Sequence, residues 1–191
     1  MAFEGGIEAT NSEDQAALGL LRFWIDAGPE RWFDRSDPFD TSCGDYLAMW
    51  EKAREGAFDA WTATAAGSLA LIILLDQIPR NVFRGDPRQF AADGKALAVA
   101  RRAVAKGHDR TQTWPMRNFF YLPFQHAEDV AAQEEGLDLY RHGAPQDIYY
   151  YALVHADAIR RFGRFPHRNA VLGRETTEAE KAYLASGGFG A

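Results

Sequence analysis

The chain of 191 residues has a single cysteine, Cys43, so it can form no internal disulfide and fits a reducing compartment. One thiol near a helix start is expected to be a small filler rather than a nucleophile. The opening residues, MAFEGGIEAT, hold neither a basic nor an apolar stretch, so no secretory leader is expected. Long hydrophobic runs are also missing. The longest, Leu69 to Leu75, falls far short of the roughly 20 residues that cross a bilayer. Positive charge is in deficit: the formal net charge is -6 and the pI about 5.4, which argues against a general nucleic-acid binder. There is no sustained period-two alternation and no βαβ spacing. Glycine-rich phosphate loops, nucleophile elbows and i, i+4 histidine pairs are absent as well, so neither a metal nor another cofactor is expected. A cytoplasmic protein with no membrane or nucleic-acid partner is the reading that remains.

What the chain has is helical periodicity. In SEDQAALGLLRFWIDAG, Leu18, Leu21, Trp24 and Ile25 recur at helical spacing, with Ser12 as cap and Gly28-Pro29 as stop. The stretch PERWFDRSDPFD reads as a connection whose Trp32 and Phe33 anchor it to the core or line a pocket wall. A second helix covers DYLAMWEKAREG. A third, from about Thr62 to Gln77, contains LALIILL and is apolar on every side, so it is predicted to be central and to end at Pro79. FAADGKALAVARRAVAKG is a fourth, stopped at Gly107. Pro115 suits a helix start, and Pro123 is predicted to kink or break the next segment. PQDIYYYALVHADAIRRFG is another helix, and Thr177 with Glu180 forms the capping box of the last. The prediction is an all-α fold of about seven helices in antiparallel pairs, as a bundle or stacked array. It forms one domain over residues 1–191, with loose tails at 1–11 and 187–191.

Three junctions combine proline, aromatics and dense hydrogen-bonding groups: LLDQIPRNVFRG, FFYLPFQHAED and RRFGRFPHRN. Helix ends leave backbone groups that polar side chains satisfy, but the arginine content exceeds that need. Arg160, Arg161, Arg164, Arg168 and Arg174 follow one another with no acid between Ala158 and Arg174. They either clamp helices together, pairing with Asp76, Glu128 and Asp129, or hold an anion. In the anion reading, Arg80, Arg84, Arg164 and Arg168 bind the ligand, Asn81, Gln125 and Asn169 orient it, and Asp76, Gln77 and Glu128 belong to the same site. His126, His155 and His167 could supply an acid/base pair, and His126, oriented by Asp129 at i, i+3, or His167 is the acid/base candidate.

These junctions carry a resemblance. LALIILLDQIPRNVFRG, FFYLPFQHAED and RFGRFPHRNAVLGR, in this order, resemble the bacterial domain-of-unknown-function 924 family, from LLRFWIDAGPERWF through RETTEAEKAYLA. The resemblance implies a tetratricopeptide-like all-helical fold and supplies no reaction. Three functions stay open. The junctions converge on a cleft for a small anionic molecule, with or without acid/base chemistry. Alternatively a concave helical surface receives an acidic peptide, or the motifs are structural clamps alone.

Overall fold

The structure is a computed structural model that describes residues 12–33 and 37–190. Among these residues all regular structure is helical. Helix α1 (Ser12–Ala27) buries Ala17, Leu20, Leu21 and Trp24 along one side and ends at Gly28, whose φ of 77° suits glycine. The capping role expected of Ser12 falls outside the described side chains. The presumed connection that follows contains helix: a turn, α2 (Pro29–Trp32), and then α3 (Asp37–Cys43). Residues between them, 34–36, lie outside the described part. Trp32 is buried and donates from Nε1 to the Trp24 carbonyl at 2.6 Å. Cys43 is fully buried and its thiol is pushed up to about 12 by burial and by Asp40, so it is an inert filler as expected.

After α4 (Leu47–Arg54), Thr64 caps α5 (Ala65–Ile72), accepting the Gly67 N–H at 3.0 Å. Helix α5 is the central one, touching α1, α7 (Asp93–Ala105) and α8 (Asn118–His126). It does not stop before Pro79. One wide turn, Ile73–Gln77, carries i to i+5 bonding and leads directly into α6 (Ile78–Val82), with the Ile78 N–H reaching the Ile73 carbonyl. Proline has no N–H, and its ring crowds the carbonyl one turn back, so an added residue per turn is a way past it. Pro123 likewise lies inside α8, and the break comes later, at Ala127 to Asp129, before α9 (Val130–Arg141).

Helix α10 (Gln146–Phe162) packs on α9 and α8 and ends at Gly163, in the left-handed region at φ 67°. Helix α11 (Glu178–Ala185) opens with the predicted Thr177 and Glu180 capping box. Residues 187–190, expected to be a loose tail, are docked. Phe189 contacts Phe165, His155 and His167, and its N–H donates to the Tyr183 hydroxyl at 2.9 Å. No helix among the described residues is long and apolar enough to cross a membrane.

Gly67 shows how tightly α5 is seated. A Cβ there would stand 2.3 Å from the Trp61 carbonyl oxygen, which is backbone and cannot swing aside. Gly67→Ala should therefore cost about 2–3 kcal/mol. Gly94→Ala, on α7 with nothing within 4 Å, should be neutral or slightly stabilising. Urea unfolding of the two variants checks this.

Candidate functional site

The wide turn at Ile73–Gln77 sets Asp76, fully buried, against the end of α8. Asp76 accepts from Nδ1 of His126 at 2.8 and 3.0 Å and from the Gln77 amide at 2.6 Å, and Arg80 Nη1 lies 3.1 Å from its Oδ1. The same turn leaves carbonyls that side chains take up: Arg80 donates to the Asp76 carbonyl at 2.7 Å, and Asn81 to that of Gln77 at 3.2 Å. Arg80 also forks onto Asp93 with two bonds of 2.9 Å. Arg168 reaches Asp93 at 3.3 Å and the His126 carbonyl at 3.0 Å, its guanidinium stacked between Phe90 and Phe165 at 4.3 and 4.5 Å.

Two carboxylates and two guanidiniums therefore alternate behind His126. Burial opposes the charge on Asp76, but Arg80 and His126 outweigh it and hold the carboxyl below the usual range. For Arg80, too, burial is outweighed, by Asp76 and Asp93, and the guanidinium is held more firmly protonated. His126 is pushed down by burial and then by Arg80, against the pull of Asp76. The imidazole is thus neutral at pH 7. An ionised carboxylate only accepts, so Nδ1 carries the proton and Nε2 keeps its lone pair. Nε2 makes no hydrogen bond among the described residues.

His155 repeats the arrangement with a weaker partner. Its Nδ1 donates to the Tyr151 carbonyl at 2.6 Å, its ring centre is 6.3 Å from that of His126, and burial, then His126, lowers it to about 3. Both histidines face a cleft of about 650 Å³. Its other walls come from Gln77 on the wide turn, Arg80 and Asn81 on α6, Arg84 just beyond it, Asn118, Leu122 and Gln125 on α8, and Asp147, Ile148 and Tyr151 on α10. Pro29, Trp32, Phe33 and Pro115 close the remaining side. On each helix these residues recur three or four apart, one face each.

Of the residues singled out from sequence, Gln77, Arg80, Asn81, Arg84, Gln125 and His126 line this cleft. Asp76 and Arg168 stand behind His126. The pairing expected between His126 and Asp129 does not form. Helix α8 ends between them, and Asp129, extended at φ -145°, caps α9 by accepting the Ala132 N–H at 2.7 Å. An i, i+3 contact would need one continuous helix through both residues.

Glu128, Arg164 and Asn169 are built into a different joint. Glu128 accepts from the Phe165 N–H at 2.7 Å and from Arg174 at 2.7 and 2.9 Å. Arg164 forks onto Glu180 at 2.7 and 2.9 Å, where Asn169 also donates at 3.3 Å. His167 packs on Phe165 and Phe189, is lowered by burial and then Arg168 to about 4, and does not line the cleft. The arginine run is matched throughout: Arg160 with Glu134, Arg161 with Asp157, Arg164 with Glu180, Arg168 with Asp93, Arg174 with Glu128.

Asn118, Asp147, Ile148 and Tyr151 were not expected from the sequence, and His155, weighed for acid/base work, was not placed in the site. The signal available was the spacing of 118, 122 and 125 and of 148, 151 and 155.

Fold and site together define an all-helical protein with a buried carboxylate–histidine pair beside a cleft between α6, α8 and α10. The chain belongs to the DUF924 family, described as a bacterial protein of unknown function, whose family profile matches residues 20–188. It is similar to a solved structure of a protein of unknown function from Agrobacterium tumefaciens. That protein is 43% identical with a TM-score of 0.86, and the match covers 90% of this chain and 98% of that one. No curated protein matches the chain.

The lowered histidines make stability depend on pH. In the unfolded chain His155 takes a proton near pH 6.5, but in the folded chain only near 3. Below pH 6.5 the unfolded state binds more protons, so the stabilisation present at neutral pH is lost as pH falls, by up to about 1.4 kcal/mol per pH unit for one histidine. His126 and His167 add in the same direction. Denaturant midpoints between pH 7 and 4 should fall steadily, and His155→Gln should flatten the slope.

Proposed function

We propose that this protein is an enzyme that moves a proton on a small molecule held in the cleft. His126 Nε2 is the acid/base atom, and Asp76 is the positioning residue that keeps the proton on Nδ1. The observation that carries this reading is an imidazole fixed on one nitrogen by a fully buried carboxylate and unbonded on the other, beside a cleft large enough for a metabolite. Such a base contributes about 10²–10⁴-fold to a rate. Arg80 and Arg84 lie in the same wall, and the anion-binding role expected of them would have to work through N–H groups not already given to Asp76, Asp93 and Asp40. Arg164, Arg168 and Asn169 serve as clamps in this reading. A single buried thiol suits the cytoplasm.

A second reading has one observation in its favour. Phe33 and Tyr151 stand 56% and 58% exposed at the cleft's edge, as anchors for a peptide would on a tetratricopeptide-like array of antiparallel helix pairs.

The test incubates the protein in D₂O with a small-molecule extract of bacterial cells and follows deuterium uptake and consumption by mass spectrometry. The wild type should label or consume at least one compound. His126→Gln should abolish that, and Asp76→Asn should slow it by about 10²–10⁴-fold. No change with wild type, or equal change with His126→Gln, contradicts the proposal.

A further inference from the structure

Most polar groups in the cleft are satisfied by one another. Asn81 uses both ends of its amide, donating to the Gln77 carbonyl and accepting from Arg84 at 2.8 Å. Arg84 also forks onto Asp40 at 2.7 and 3.2 Å. Gln77 gives its N–H to Asp76, Asn118 accepts the Tyr140 hydroxyl at 2.8 Å, and each histidine has placed its Nδ1 proton. Left over among the buried cleft residues are Gln77 Oε1, His126 Nε2, His155 Nε2, Asn118 Nδ2 and the Gln125 amide. Their residues are largely buried, with Gln77 4%, Asn118 7% and His155 8% exposed. Yet none of these is among the described side-chain atoms sealed without a partner, as Asp109 Oδ1 and His167 Nδ1 are. Each therefore opens on the cleft that its residue lines.

The remaining set is three acceptors, one donor and an amide that can act both ways, all uncharged. Charge in the walls is matched: Arg80 faces Asp76 and Asp93, and Arg84 faces Asp40, while Asp147 adds an acid at the rim. A phosphate or carboxylate would meet engaged guanidiniums and the Asp147 carboxylate. An ammonium would meet Arg80 and Arg84. A hydroxyl answers such a set without counter-charge, because it can act both ways. Trp32, Leu122, Ile148 and Tyr151 supply apolar wall.

Building on the reading of this cleft as the site, we infer that its ligand is an uncharged hydroxylated molecule with one apolar face, of sugar or cyclic-polyol size. His155 orients a hydroxyl as an acceptor, and Asn118 supplies a buried donor. Leaving such partners unpaired is what makes a polar site selective.

The experiment is calorimetric titration of the wild-type chain with a phenyl glucoside and inositol, against a sugar phosphate, a uronate and an amino sugar. At least one neutral compound should bind saturably at millimolar concentration, about tenfold or more tighter than every charged one. Asn118→Asp keeps the shape and the acceptor for Tyr140 but turns a buried donor into an acceptor, and should weaken that binding about tenfold or more. Binding of a charged compound equal to or tighter than the neutral ones, no neutral binding, or an unaffected Asn118→Asp overturns the ligand class. If neutral compounds fail while His126-dependent turnover of another metabolite persists, the ligand class falls and the proton-transfer reading stands. If they bind without any turnover, the reverse holds.

Discussion

A carboxylate with no exposure to water is expensive to keep ionised, and Asp76 is ionised. Its neighbours supply what water would: a guanidinium from one turn along, an amide from the adjacent residue, and an imidazole from a helix fifty positions away. Satisfying it fixes much else. Helix α5 must continue past Pro79 so that Arg80 and Asn81 fall where they do, and α8 must end at His126 so that Arg168 can hold its last carbonyl. The wide turn at Ile73–Gln77 is the local geometry that lets one stretch meet all these demands.

The arginines divide along the same line. Arg80 and Arg168 alternate with Asp76 and Asp93 behind His126, forming a neutral array in the interior. Arg164 and Arg174 lock the segment after α10 to α11 and to Glu128. The run that looks basic in the chain is neutralised by acids drawn from α7, α9, α10 and α11 and from Glu128 between α8 and α9, so the folded molecule presents no bare positive cleft from it.

The long elements were legible. The α1 stripe of Leu21 and Trp24, the all-round apolar α5 and the Thr177 capping box depend on local spacing, and local spacing is what a sequence displays. The prolines misled where a rule about one residue was applied without its surroundings: Pro79 does not end its helix and Pro123 does not break α8. The site was legible as a set of ingredients. Gln77, Arg80, Asn81, Arg84, Gln125 and His126 were found because polar groups are odd at the ends of greasy helices. The partner of His126 was not found, since Asp76 and Asp129 are equally plausible on paper and only folding chooses between a neighbour in sequence and a neighbour in space. His155 could be weighed but not placed in the site, because its orientation depends on a backbone carbonyl, that of Tyr151, which any residue could offer.

The account stands on the protonation pattern of one ring. Nitrogen-15 NMR of the histidine-labelled protein reads it directly. His126 should appear at neutral pH as a single neutral tautomer, with the proton on Nδ1 and a bare Nε2, and should remain so as the pH is lowered past the ordinary histidine range. A proton on Nε2, a rapidly averaging mixture of tautomers, or an imidazolium at neutral pH would contradict it.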